Sequence, residues 1–436
     1  MYKMSRFILL LCISTGLLYL TGCSGNVPAT VNSPDQNLQV TFSMNQGAPQ
    51  YEVSYQGTSF IRPSTLGLEF ENQPAMNSGF SVVSTHQNSV DKTWSPLYGK
   101  SSKIRNHYNE LTIELQEQQD PERKLNLVFR AYDDGIAFRY EIPEQENMSD
   151  FNVTDEKTTF NFSSDYSGFG MKRTGFGGNY EDYYLKRSLS DIQPDTLIGM
   201  PFLLQIDNGW IAVTEADLTD YAGMSLTGVS DNPNELVSAL APRPDQKIIK
   251  AKEKTPFKSP WRTIFVGQRA GDFITSNLVM NLNNPNKLSD TSYIKPGHVI
   301  WPWWNGRIAD DLKYSGEPST SVMKYYIDFA AEHNIPNLLV DAGWYSLEGE
   351  AWDSPEKQNL LTMEETRKDH YNIRDVIDYG NQKGVKVHLW VHATSLKDEV
   401  EKVLSTYADW GVAGVKIDSY GGDNQVISPI YSTWPG

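Results

Sequence analysis

A change of hydrophobic period between Gln268 and Ile294 constrains the fold more than any other feature of this chain. Before it, apolar residues alternate with polar ones in short runs: Val40, Phe42 and Met44 in LQVTFSM, the same pattern in YEVSY, and Leu111, Ile113 and Leu115 in LTIEL. LNLVFRAYDDGIAFRYEI predicts two strands of a hairpin turning at Asp133, Asp134 and Gly135, with the glycine supplying a positive φ. PFLLQI, GWIAVTEA, ELVSAL and WRTIFVG add further strands with almost no helical period between them, which predicts a large β-sandwich.

After it, short apolar strands alternate with amphipathic helices. IKPGHVIWPWW reads as a strand, and STSVMKYYIDFAAEHN as a helix with Val322, Tyr326, Phe329 and Ala330 on one side. NLLVDAGW is a strand ending near Asp341, NIRDVIDYGNQKG a helix closed by Gly384, and VKVHLWVHA a strand. LKDEVEKVLSTYADWG and VAGVKIDSYGG complete the series. Such βα units build a parallel sheet, and polar residues gathered at successive strand ends point to a (β/α)8 TIM barrel. Such a barrel takes roughly 250 residues. About four strands can be counted before Gly436, and Pro429 stands where a helix should run, so a chain truncated within the barrel is expected. An open doubly wound sheet is the alternative, although its glycine-rich phosphate loop is missing.

Lys3 and Arg6 precede the apolar run FILLLCISTGLLYL, a secretory signal too short for a confident membrane span. It ends in Leu20, Thr21, Gly22 and Cys23, a lipobox-like sequence in which Cys23 would carry lipid; a plain signal with a chance cysteine is the alternative. The expected organisation is a signal peptide over 1–22, a linker over 23–37, a sandwich over 38–283 and a partial barrel over 284–436. The expected location is the outer membrane, facing the periplasm or the cell surface, with the lipid anchor as the only membrane contact. Cys12 lies within the signal, so a mature chain holding Cys23 alone has no intrachain disulfide or thiolate metal site. A net charge of −16 disfavours nucleic acid as a partner.

The strand ends carry the candidate chemistry. Lys416 and Asp418 are two apart, so both face the same side of a strand with Asp418 at its carboxyl end, where it suits a nucleophile or an electrostatic stabiliser. Capping the next turn is the bland alternative. Asp341 is placed alike, as a substrate ligand or a capping carboxylate. Trp301, Trp303, Trp304, Trp344, Trp390 and His392 surround these ends; indoles stack on pyranose rings, and each can equally be core. There is no HExxH and no GxSxG, which argues against a zinc site and serine acyl transfer.

The stretches FRAYDDGIAFRY, EADLTDYAGMSL, PWRTI, KPGHVIWPWW, YYIDFAAEHNIPNLLVDAGW and GVAGVKIDSYGGDNQ, in this order, resemble glycoside hydrolase family 97. The resemblance implies an exported bacterial α-glucosidase or α-galactosidase with an N-terminal β-supersandwich and a catalytic barrel. The position answering to the inverting branch's base is Ala393, whereas Asp418 answers to the retaining branch's nucleophile, so a retaining α-galactosidase acting on an α-galactoside or α-linked oligosaccharide is expected. Trp304, Asp341, Trp344, Trp390, His392 and Lys416 are then the expected substrate ligands. A calcium ion is implied too, with Glu181 in GGNYEDYY as its ligand or else a solvated loop carboxylate, and an acid/base glutamate from a later strand. The competing readings are an α-glucosidase, a non-catalytic carbohydrate-binding lipoprotein and an inactive fragment; the truncated chain alone is expected to be inactive.

Overall fold

A computed structural model describes residues 28–177, 180–307, 319–345, 371–396 and 399–418. The expected signal, Cys23 and Pro429 lie outside them. Among the described residues no helix is long and apolar enough to cross a membrane.

The N-terminal part is a sandwich. A 13-stranded, antiparallel sheet runs from the edge strand Phe80–Trp94 inward through Ile104–Glu117, Lys124–Tyr132 and Gly135–Ile142 to Trp261–Gly267 and beyond. Two four-stranded sheets accompany it, one built from Ala29–Asn32, Leu38–Asn45, Ala48–Tyr55 and Thr58–Thr65. Alternating residues such as Val40, Phe42, Phe129, Phe138 and Ile264 share one buried core drawn from all three sheets. Sheet formation begins at Ala29, inside the segment read as a tether, because Val31 is buried and pairs with Val40.

One ion cluster sits within that apolar interior. Arg262 reaches Glu156 through Nε and Nη2 at 2.7 and 2.6 Å, and donates from Nη1 to Glu215 at 2.7 Å. Tyr140 donates to or accepts from Thr158, which itself bonds Glu156. A buried guanidinium is tolerable only because its charge and donors meet carboxylates on both sides.

The hairpin at Asp133 and Asp134 forms as expected, with Tyr132 opposite Gly135. Its glycine is required for space rather than for positive φ: a Cβ there would lie 2.6 Å from the Ile264 carbonyl and from Leu278 Cδ2.

The C-terminal part is a parallel sheet of four strands in chain order, Val299–Ile300, Asn337–Val340, Lys386–His392 and Gly414–Asp418. With the preceding sandwich this is the expected architecture, an all-β domain followed by part of a (β/α) barrel. The helix Thr320–Glu332 starts at Ser319, whose Oγ accepts from the Val322 N–H at 3.3 Å. Its buried stripe is Val322, Met323, Tyr326, Ile327 and Ala330; Phe329 is 44% exposed and packs against His333 instead. The helix Ile373–Lys383 ends at Gly384, whose φ of 75° lets the chain leave in a left-handed turn. A further helix, Val400–Asp409, precedes the last strand. The first barrel strand is only two residues long, because Pro302 opens a 3-10 turn over Pro302–Asn305 and supplies no N–H to the sheet.

Candidate active site at the strand ends

Register decides which side chains meet. His388, Trp390 and His392 pair with Gly414, Lys416 and Asp418, so these share one face of the sheet. The intervening Val387, Leu389, Val391, Val415 and Ile417 belong to the core beneath the helices. Val340 pairs with Leu389, which brings Asp341, the next residue, level with Trp390 and Lys416.

The result is a chain of contacts across three strand ends. Trp301 donates its indole N–H to Asp341 Oδ2 at 2.6 Å. Lys416 Nζ lies 3.0 Å from that same oxygen and 3.0 Å from Asp418 Oδ2. Trp390 Nε1 donates to Asp418 Oδ2 at 3.0 Å. The ammonium also sits 4.4 Å from the centre of the Trp301 ring. Partial burial works against the Lys416 charge, but its hydrogen bonds and electrostatic attraction to Asp341 and Asp418 outweigh that cost and raise the ammonium above its ordinary value.

The two carboxylates differ in access. The Asp341 side chain is 4% exposed and that of Asp418 is 45% exposed. Asp341 is anchored further by the Ala342 N–H at 2.7 Å, so it serves as the inner fixed charge. Asp418 stands at the open rim, where a carboxylate can meet a ligand.

The aromatic residues divide in the same way. Trp304 is 76% exposed and packs edge-on against Trp301 at 5.4 Å, leaving it able to take a sugar face. Trp344 is wholly buried, donates its N–H to the Trp390 carbonyl at 2.7 Å, and packs on Tyr345 and Tyr407. Trp390 is buried too and stacks on Tyr345. The core therefore claims both rings, and the expected sugar contact of their faces is corrected by that burial. His392, in register with Asp418, is buried edge-on against Trp390. Ala393 follows it and opens the short helix Ala393–Leu396.

Arg307 and Tyr345 were not among the expected residues, and Trp301 was named at a strand end without being counted among the substrate ligands. Arg307 donates to the Ala342 carbonyl at 2.9 Å and lies over Trp303. Trp301 carried a readable signal, its position directly after the apolar pair Val299 and Ile300.

The expected calcium site is overturned. Among the described residues no three His, Cys, Asp or Glu side chains come together to hold a metal ion. Glu181 lies on an exposed loop, and a hard cation of this kind requires six to eight converging oxygens.

Two family descriptions match the chain, the Glycosyl-hydrolase 97 N-terminal region over 31–285 and Glycoside hydrolase 97 over 303–434. A retaining alpha-galactosidase of Bacteroides thetaiotaomicron is 28% identical over 425 residues, covering 92% of this chain and 61% of that protein. A probable retaining alpha-galactosidase of Streptomyces bingchenggensis is 25% identical, over 91% of this chain and 58% of that protein. A family 97 enzyme of Pseudoalteromonas sp., solved in complex with acarbose, superposes with a TM-score of 0.82 at 27% identity, covering 93% of this chain and 63% of that one. The chain thus spans less than two thirds of the length of each of these relatives.

Proposed function

The chain belongs to glycoside hydrolase family 97, and from this premise we propose that it is the sandwich and nucleophile-bearing part of a retaining α-galactosidase. The observation that carries the reading is Asp418: a half-exposed carboxylate at a parallel strand's carboxyl end, with Lys416 and Trp390 both on Oδ2. Donors on a carboxylate favour its ionised form, the form that attacks an anomeric carbon. The named activities of the Bacteroides and Streptomyces relatives support this choice of sugar and stereochemistry. Ala393 supports it from the other side, since a methyl group cannot take a proton from water.

In this reading Asp418 forms the glycosyl ester while a second carboxyl, roughly 5–5.5 Å away, protonates the leaving oxygen and then activates water. Asp341 does not fill that second role, because it is buried and held by Lys416, Trp301 and the Ala342 N–H. Lys416 flanks the sugar's hydroxyl side, and Trp304 offers a stacking face. Export and lipid attachment at Cys23 belong to the same proposal.

The test is made on the enzyme with a complete barrel, since this chain alone is expected to be inactive. Hydrolysis of a nitrophenyl α-galactoside should release the α anomer first, as read by proton NMR before mutarotation. Asp418→Asn should lower kcat by about a thousandfold or more. Initial β product, or turnover that survives Asp418→Asn, would overturn the assignment; preference for the matching α-glucoside would move the reading to an α-glucosidase.

A further inference from the structure

Trp390 sits where a sugar platform was expected, yet everything about its ring is committed to the protein. It is 3% exposed, stacks on Tyr345 with centroids 6.1 Å apart and planes at 26°, and its carbonyl accepts from Trp344. The Tyr345 hydroxyl in turn takes the His392 N–H at 3.4 Å, tying the stacked partner to the same strand. An indole has one polar atom, its N–H, and here that atom meets Asp418 Oδ2. The same oxygen takes Lys416 from the neighbouring side.

We infer that Trp390 is a positioning residue for Asp418, a buried donor that fixes the carboxylate's rotation rather than a surface for the sugar. This rests on the proposed role of Asp418 as nucleophile. Lys416 supplies charge, but its flexible stem is shared with Asp341 and sets no plane. The indole is rigid and clamped on its face, so its N–H vector is fixed before substrate arrives. A nucleophile must be held to a fraction of an ångström for attack, and a locked donor provides that restraint at no cost during the reaction.

Two measurements on the enzyme with a complete barrel separate this inference from the reading beneath it. In an indole 15N–1H spectrum, Trp390→Phe removes one resonance and so assigns it. That resonance should then move upfield when Asp418→Asn replaces the charged acceptor by a neutral one. An unmoved resonance would overturn the positioning role whether or not Asp418 is the nucleophile. Only the assignment uses the phenylalanine variant; where that variant does not fold, replacing the other tryptophans one at a time assigns the Trp390 resonance by elimination.

The second measurement is kinetic. Trp390→Phe keeps an aromatic ring in the stack and loses only the donor side, so kcat should fall about ten- to a hundredfold, the range for a hydrogen bond to a charged group. KM should change little. A raised KM at unchanged kcat would instead identify a sugar contact and overturn the proposal. If the enzyme with a complete barrel fails to turn over α-galactosides and α-glucosides, the nucleophile reading falls, and the indole shift still decides whether Trp390 holds Asp418.

Discussion

Glu253 is a single residue whose environment reverses its usual preference. Its carboxyl lies in the strand Ala251–Lys254 opposite Phe151, with Oε1 buried and unpartnered. Burial, followed by the nearby Asp220 charge, pushes its pKa from 4.5 up to about 8. The folded state therefore holds a proton that the unfolded chain loses once the pH passes 4.5. The stability this group supplies is complete in acid, drains as pH rises, and is gone above about pH 8. Glu253→Gln should raise stability above pH 8 by about 1–2 kcal/mol after allowance for partial solvent screening, and should change it little near pH 4. Thermal melts of both proteins at the two pH values check this; an equal effect at both would show that the charge is not the cause. Nothing in the sequence marks Glu253, because its penalty comes from Phe151 and Asp220, which are distant along the chain or on another element. The same holds for Arg262 and Glu156, paired across 106 residues. Lys416 and Asp418 were legible because the period of a strand places them together, whereas that period cannot say whether Trp344 and Trp390 face sugar or core.

At the scale of elements, local rules carried most of the reading. Ser319 and Gly384 bound their helices as their side chains and backbone freedom require, and the strands at Gly209–Ala216 and Trp261–Gly267 follow from alternation. Gly384→Ala should destabilise the helix Ile373–Lys383 by about 1–2 kcal/mol, since a Cβ disfavours φ of 75°, and Gly384→Asn should cost less. Chemical denaturation followed by circular dichroism gives the comparison; equal losses for both variants would mean the left-handed turn is not the source. Phe329 was misassigned because a helical stripe has width, and the sheet beneath selected Met323 and Ile327 in its place. The shortness of Val299–Ile300 was concealed by Trp301, Trp303 and Trp304, which look strand-like in composition although the latter two follow Pro302.

The whole molecule contains an extensive sandwich core and a separate barrel core assembled from Val322, Leu338, Val376, Leu389 and their neighbours. Each is built from residues close in its own half of the sequence, so the two halves should unfold independently. Differential scanning calorimetry should resolve two transitions. Glu253→Gln should move only one, and Gly384→Ala only the other; a single transition moved by both would show that the cores are coupled. The strand pairings also set a timetable for folding. Gly135–Ile142 lies between Lys124–Tyr132 and Trp261–Gly267 in the large sheet, with Gly135 opposite Phe265. As an exported chain emerges amino terminus first, that strand must wait for a neighbour more than a hundred residues downstream, holding an open edge of the kind that recruits foreign strands. The parallel sheet has no such delay, because each strand pairs with the one made just before it. The sandwich thus emerges first, and its closing strand arrives just before the barrel begins.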